Sequence, residues 1–275
     1  MLEAVTNKNE LSKLVFKHIK KNVLTNCFLS SKDYEREIEN GTLLFKEYES
    51  NNLYIIKKRD GFIVLYYYIN DDSSLKSELE RIKKEIGDNK IVIEVAYEET
   101  NDYQVKMFEK IGFEIILNRV NLHLVNRCLE FPPNQWDDII IKEQFNLDED
   151  SKQVFNFIKN NFNIITGCIP SVNEIKSRIL ENEIKALIDK NSNNIIGVLE
   201  FNKDNDKKVT IKHLAVLNDY RGKGIGSYLL RHIQMYYDVI NVWTTINSEA
   251  ERLYIKNGFA KTKYKSVVLI DKGEQ

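Results

Sequence analysis

The sequence predicts an α/β chain with mixed (α+β) sheets, one αβ fold written twice with the first copy degenerate. Three observations carry that expectation. Stretches with strand spacing and stretches with helix spacing follow one another in the same order in each half. The segment "KIVIEVAYEETNDYQVKMFEKIGFEIIL" returns as "VINVWTTINSEAERLYIKNGFAKTKY", so that Asn101, Lys110, Gly112 and Phe113 match Asn247, Lys256, Gly258 and Phe259 at one offset of 146 (259 minus 113). A glycine-rich turn, "DYRGKGIGSYLL", opens an apolar helix in the second half alone.

In chain order, "KNELSKLVFKHIKKN" and "SKDYEREIENG" read as two helices. "TLLFKEYES", "NLYIIKKRD" and "GFIVLYYYIN" follow as consecutive antiparallel strands, alternating or apolar throughout and separated by turn residues. "SSLKSELERIKKEIG" spaces Leu75, Leu79, Ile82 and Ile86 along one helical face. The first strand–helix–strand unit completes this half. Pro132 and Pro133 in "CLEFPPNQWDD" stiffen a polar segment and mark the linker, which sets expected domains of 1–130 and 131–275. The second half repeats the order: helices "DEDSKQVFNFIKNNF" and "SVNEIKSRILE", strands "EIKALIDK", "NIIGVLEFN" and "VTIKHLAVL", then the glycine turn, the helix "IGSYLLRHIQMYY" and the second copy of the unit.

Composition narrows the function classes. At 275 residues the chain suits one large domain or two ordinary ones, and 43% hydrophobic residues suffice for real cores. Lys and Arg total 40 against 41 Asp and Glu, a balance without the general attraction that nucleic-acid binding leans on. No apolar run approaches the roughly 18 residues of a membrane span, and "MLEAVTNKNELSKLVFKHIKK" has no apolar signal core, so a cytoplasmic location away from membranes is expected. Cys27, Cys128 and Cys168 are odd in number and far apart, and the 4 histidines are scattered, which argues against disulfides and against a metal.

The turn holds the chemistry. Gly222, Gly224 and Gly226 let the backbone approach a ligand and aim several N–H groups one way, at a helix start whose dipole favours anions. A P-loop needs Gly-Lys-Ser/Thr after four residues, whereas Lys223 lies inside the glycine run. A dinucleotide fingerprint needs a third glycine where Ser227 stands.

The order of elements, with Arg221, Gly222, Lys223, Gly224, Ile225 and Gly226 at the turn, resembles the GNAT superfamily of acyl-CoA-dependent N-acyltransferases, whose signature is Gln or Arg, two residues, Gly, one residue, Gly or Ala. Asn247, Ala250, Leu253, Tyr254, Gly258 and Phe259 match the family's second landmark downstream. The resemblance covers residues 137–272 well, and 1–128 only through the internal repeat. It implies that the amides of 222–227 cradle the pyrophosphate of coenzyme A, with charge from Arg221 and Lys223 and a hydroxyl from Ser227. It also implies that the strand before the turn splays from the strand after it, so that Leu214, Ala215 and Val216 line the acyl-pantetheine and a backbone N–H near Ala215–Leu217 polarises the thioester carbonyl. Tyr254 is the expected hydrogen-bond donor to the departing thiolate, alternatively a packing aromatic. Asn247 either contacts the coenzyme or belongs to a helix cap with Ser248 and Glu251. Glu200 and His213 are candidate bases, directly or through water; otherwise Glu200 lies on a solvated face and His213 is a half-buried sheet residue. The loop "NIITGCIPS" is expected at the substrate pocket, with Cys168 a small packing residue.

The first half departs from the pattern. "INDDSSLK" puts Asp71 and Asp72 where the glycine turn belongs, and Phe108 stands where Tyr254 would. The resemblance thus implies acetyl transfer from acetyl-CoA to a primary amine by the second half, with acceptor and oligomeric state left open. A non-catalytic acyl-CoA-binding protein and a tRNA-dependent aminoacyl transferase of similar tandem fold are the alternatives, the second disfavoured by the charge balance.

Overall fold

The computed structural model describes residues 1–27, 29, 31–125 and 136–272; Cys128, the proline pair and the expected boundary after residue 130 lie outside them. The chain divides into two compact units, Met1–Asn118 with Lys265–Gln275, and Arg119–Tyr264. Two units were expected, each from one half of the sequence. Here each unit instead takes in a strand segment from the opposite half.

The first unit runs β1 (Glu3–Ala4), α1 (Lys8–His18), β2 (Leu24–Thr25), α2 (Ser31–Glu39), β3 (Leu43–Glu47), β4 (Leu53–Arg59), β5 (Phe62–Ile69), α3 (Leu75–Ile86), β6 (Lys90–Glu98), α4 (Tyr103–Lys110) and the start of β7 (Phe113–Val125). β1, β3, β4 and β5 pair antiparallel in that order, and β5 pairs parallel with β6. The face predicted for α3 is the buried one: Leu75, Leu79 and Ile82 join Tyr54, Ile93, Phe108 and Phe113 in one core. Val267 and Leu269, from the far end of the sequence, belong to the same core. Asp271 anchors that segment by accepting from the Ile91 N–H and from the Lys83 ammonium, each at 2.7 Å.

The second unit contains the rest of β7, β8 (Ile139–Ile141), α5 (Leu147–Asn161), α6 (Val172–Leu180), β9 (Ile184–Asp189), β10 (Ile195–Asn205), β11 (Lys208–Val216), α7 (Ile225–Gln234), β12 (Val239–Thr245), α8 (Glu249–Lys256) and the start of β13 (Ala260–Asp271). β8 to β11 pair antiparallel in sequence order, β11 pairs parallel with β12, and β12 pairs antiparallel with β7. α5 is capped by the Asn146 side chain, and α6 by a reciprocal Ser171–Glu174 capping box. The strands β1, β2 and β8, two or three residues each, are too short to leave a period-2 signature.

The repeat seen in sequence is physical. Gly112 and Gly258 both take positive φ, 101° and 89°, just past α4 and α8. Phe113 meets Phe108 edge-on at 5.5 Å, and Phe259 meets Tyr254 edge-on at 5.2 Å. Each unit also holds one parallel pair that comes apart. β5 and β6 pair from Phe62↔Lys90 to Val64↔Val92, β11 and β12 from Lys208↔Val239 to Ile211↔Val242, and both pairs part beyond those points.

Candidate active site

The three glycines of the turn divide the work. Gly222 and Gly224 sit at φ 77° and 85°, left-handed values that a residue with a Cβ adopts at a cost, and Gly224 is the N-cap of α7. Gly226 has ordinary dihedrals, but a Cβ there would stand 3.0 Å from Leu253 Cδ2, so its absence lets α7 lie close on α8.

The turn's amides are open. Arg221 N–H donates to the Asn218 carbonyl at 3.1 Å and Tyr228 N–H to the Gly224 carbonyl at 2.9 Å, while those of residues 222–227 between them reach no acceptor among the described residues. Converging free N–H groups at a helix start form an anion cradle, and they suit a pyrophosphate. Ser227 Oγ accepts from Asn257 Nδ2 at 3.0 Å, which leaves its own proton to donate. Arg221 Nε donates to the Val216 carbonyl at 3.1 Å and ties the turn to the end of β11. Lys223 Nζ lies 4.9 Å from the centre of the Tyr220 ring, whose hydroxyl donates to Asp189 at 2.8 Å. Ile225 is buried in the core and offers the turn only its backbone. Trp136, which sequence reasoning passed over, packs edge-on against Tyr228 at 5.4 Å and would lie 3.9 Å from a Cβ on Gly224.

β11 and β12 pair no further than Ile211↔Val242, so the rest of the β11 edge that faces β12 is unpaired and leaves a gap. Leu217 N–H donates to the Ile196 carbonyl of β10 at 2.9 Å, and Val216 pairs with Gly197. Strand alternation then turns the Ala215 N–H toward β10 and those of Leu214 and Val216 toward the slot. The donor expected near Ala215–Leu217 is narrowed accordingly. Ala215 and Leu217 are spent within the sheet, and Leu214 and Val216 face the gap.

Tyr254 lies in the core of the second unit, 4% exposed, and burial alone pushes its pKa up, so the hydroxyl stays protonated at any working pH. Asn247 takes φ 62°, where asparagine is tolerated, and its N–H donates to the Glu251 carboxylate. Ser248 Oγ accepts from Glu251 N–H at 3.1 Å, so Ser248 and Glu251 do cap α8 while the exposed Asn247 side chain stays outside the cap.

Glu200 is not a free base. It is 1% exposed; one oxygen accepts from His213 Nδ1 at 2.6 Å, and the other lies 2.8 Å from Arg178 Nε. Burial works against its charge, yet His213 and Arg178 together outweigh that and hold its pKa below the usual carboxylate range. His213 Nε2 meets the Gly167 carbonyl at 2.6 Å. Its two nitrogens thus lie between the Glu200 carboxylate and a backbone carbonyl. His213 therefore joins the sheet to the loop between α5 and α6, and the Arg119 guanidinium donates to the next carbonyl, that of Thr166. Cys168 in that loop is exposed at φ 50°, which corrects its expected role as a packing residue. Nothing in the local sequence announces Arg178 or Arg119, because each meets its partner only through the fold.

Among the described residues no cluster of His, Cys, Asp and Glu is placed to hold a metal ion, and no helix is long and apolar enough to cross a membrane. Residues 182–261 match the family model of the acetyltransferase (GNAT) domain, a span that includes the glycine turn and the Asn247–Phe259 landmark. Among solved structures, a GCN5-related N-acetyltransferase from Sphaerobacter thermophilus is similar over 98% of this chain and 95% of its own, at TM-score 0.63 and 13% identity. A tandem GNAT protein from the clavulanic acid biosynthesis pathway is similar over 100% and 99%, at TM-score 0.69 and 10% identity. A probable N-acyltransferase from Enterococcus faecalis V583 is similar over 98% and 72%, at TM-score 0.59 and 6% identity. At these identities the likeness is one of fold. No curated protein matches the sequence. The chain carries the GNAT N-acetyltransferase fold.

Proposed function

We propose that the second unit transfers an acyl group, most simply acetyl, from its coenzyme A thioester to a primary amine. The observation that carries this reading is the continuity of the open slot with the turn of unspent amides: one strand lip, Leu214 and Val216, leads to the N–H groups of 222–227. A thioester on a pantetheine arm with a pyrophosphate at its far end has acceptors to match both features. Leu214 or Val216 N–H would stabilise the oxyanion formed as the amine attacks the carbonyl carbon. The C–N bond forms, the C–S bond breaks, the attacking nitrogen releases its extra proton to solvent, and Tyr254 donates a hydrogen bond to the sulfur as it leaves as thiolate. Full proton transfer from a buried tyrosine to a thiolate of ordinary pKa about 8.5 runs uphill, so donation describes the role better.

Glu200 and His213 are committed to each other and to the loop, and we assign neither the amine's proton. The neutral fraction of the acceptor then controls the rate, which should rise about tenfold per pH unit until the amine's own pKa, near 10 for an alkylamine. A plateau beginning near neutrality, with chemistry shown to be slow, would restore an enzymic base. The activity itself is tested with acetyl-CoA and a broad amine panel, read as thiol release. Coenzyme binding without transfer to any amine would leave a binding protein in place of the enzyme.

A further inference from the structure

The first unit repeats the splayed strands and fills the space between them with its own chain. β4 occupies one edge of β5 from Phe62 to Tyr68, so the other partners of β5 along that stretch lie on the opposite edge. β6 takes that edge from Phe62 to Val64, and β2 takes its far end, Leu24 against Ile69 and Thr25 against Tyr68. Between them stands Asn26, 5% exposed. Its amide nitrogen donates to the Leu65 carbonyl of β5 and the Glu94 carbonyl of β6, both at 3.0 Å, and its oxygen accepts from the Tyr67 N–H at 2.8 Å. One side chain thus closes both lips of the gap.

The correspondence with the second unit is residue for residue. Tyr67 lies three positions beyond Val64, the last residue of β5 paired with β6, as Leu214 lies three beyond Ile211. The N–H that Asn26 satisfies in the first unit is the one that faces an open slot in the second. The chain that leads into α3 is tied down as well. Asn70 and Asp71 donate their N–H groups to Asn52 Oδ1 at 2.7 and 3.0 Å. In the first turn of α3 the buried Glu78 carboxylate accepts from Tyr54, Ser74 and Asn52 at 2.7, 2.9 and 2.9 Å. That carboxylate is held by side chains alone and ties the start of α3 to β4.

We infer that the first unit is occupied in cis: β2 and Asn26 lie where an acyl-pantetheine arm would run. The identity of the excluded ligand rests on the function proposed for the second unit. The seal itself does not.

Amide hydrogen exchange on the full chain, with and without saturating coenzyme A, tests both separately. The Tyr67 amide should be protected in the free protein and unchanged by coenzyme A, while Leu214, Val216 and residues 222–227 gain protection. Asn26→Ala should speed exchange at Tyr67 by about tenfold or more in a chain still folded by circular dichroism. Titration of the wild-type chain should find a single coenzyme site. Free exchange of Tyr67 in the wild type, a change at residues 24–26 or 65–69 on adding coenzyme A, or two sites by titration would each overturn the seal. If coenzyme A protects neither unit, the function proposed for the second unit falls, while the wild-type protection of Tyr67 still decides the seal, even where Asn26→Ala does not fold.

Discussion

Tyr254 and Phe108 stand 146 positions apart (254 minus 108) in matching helices, each ring set edge-on against the phenylalanine that follows its glycine. The first unit packs the bare ring in this place, and the added hydroxyl of Tyr254 is the group to which the proposed function gives the departing sulfur. Tyr254→Phe should lower turnover by about 10²–10⁴-fold, the usual range for proton donation in a transition state, while coenzyme affinity and unfolding midpoint stay unchanged. An unaltered turnover with chemistry as the slow step would return the residue to packing. Gly224→Val places a branched side chain at φ 85° beside the open amides. Coenzyme affinity should fall by at least about tenfold in a chain that stays folded, since a strained φ costs roughly 1–2 kcal/mol; calorimetry with circular dichroism checks both. These positions were legible because glycine at a helix start is locally improbable and so carries information. The pairing of Glu200 was not legible, because its partner Arg178 sits on α6, 22 residues earlier (200 minus 178), and only the fold brings the two charges together.

At the scale of elements, α7 joins the site to the stability of its unit. Its N-terminus carries the open amides and its buried face the core residues Leu229, Leu230 and Ile233. His232 lies in its last turn, where the helix dipole favours the imidazolium by roughly 0.3–1 kcal/mol. Burial, aided by the charge of Lys185, wins and brings its pKa down from 6.5 to about 4. A folded value below the unfolded one gives stability that is complete above pH 6.5 and is lost as pH falls toward 4. After allowance for solvent screening the loss is roughly 2 kcal/mol. Urea unfolding between these limits should show that decline, and His232→Gln should flatten it. An equal slope in the variant would rule out His232 as the source. The apolar face of α7 and its start were plain in the sequence. The burial of His232 was not, because helical periodicity marks the apolar stripe and says little about a polar residue on its margin.

At the scale of the whole molecule, duplication was readable because both units keep the same turns and ring pairs, whereas the trading of strand segments was not. β7 and β13 look like the natural ends of their own halves, and no local pattern says which sheet a terminal strand joins. Contacts decide it: Leu269 and Val267, a few residues from the end of the sequence, are buried among α3, β5 and β6 residues of the first unit. Leu269→Ala should therefore destabilise the first unit by about 2–5 kcal/mol, as for other fully buried leucines. The loss should appear in hydrogen exchange of α3 and β6, while the amides of β10 and β11 keep their protection at mild denaturant. A fragment of residues 1–130 should fail to fold cooperatively, because it lacks the strand that carries Val267, Leu269 and Asp271, and a peptide of residues 265–275 should restore structure to it. A fragment that folds cooperatively by itself, or a Leu269→Ala chain that loses protection in β10 and β11 first, would place the last strand in the second unit's core instead.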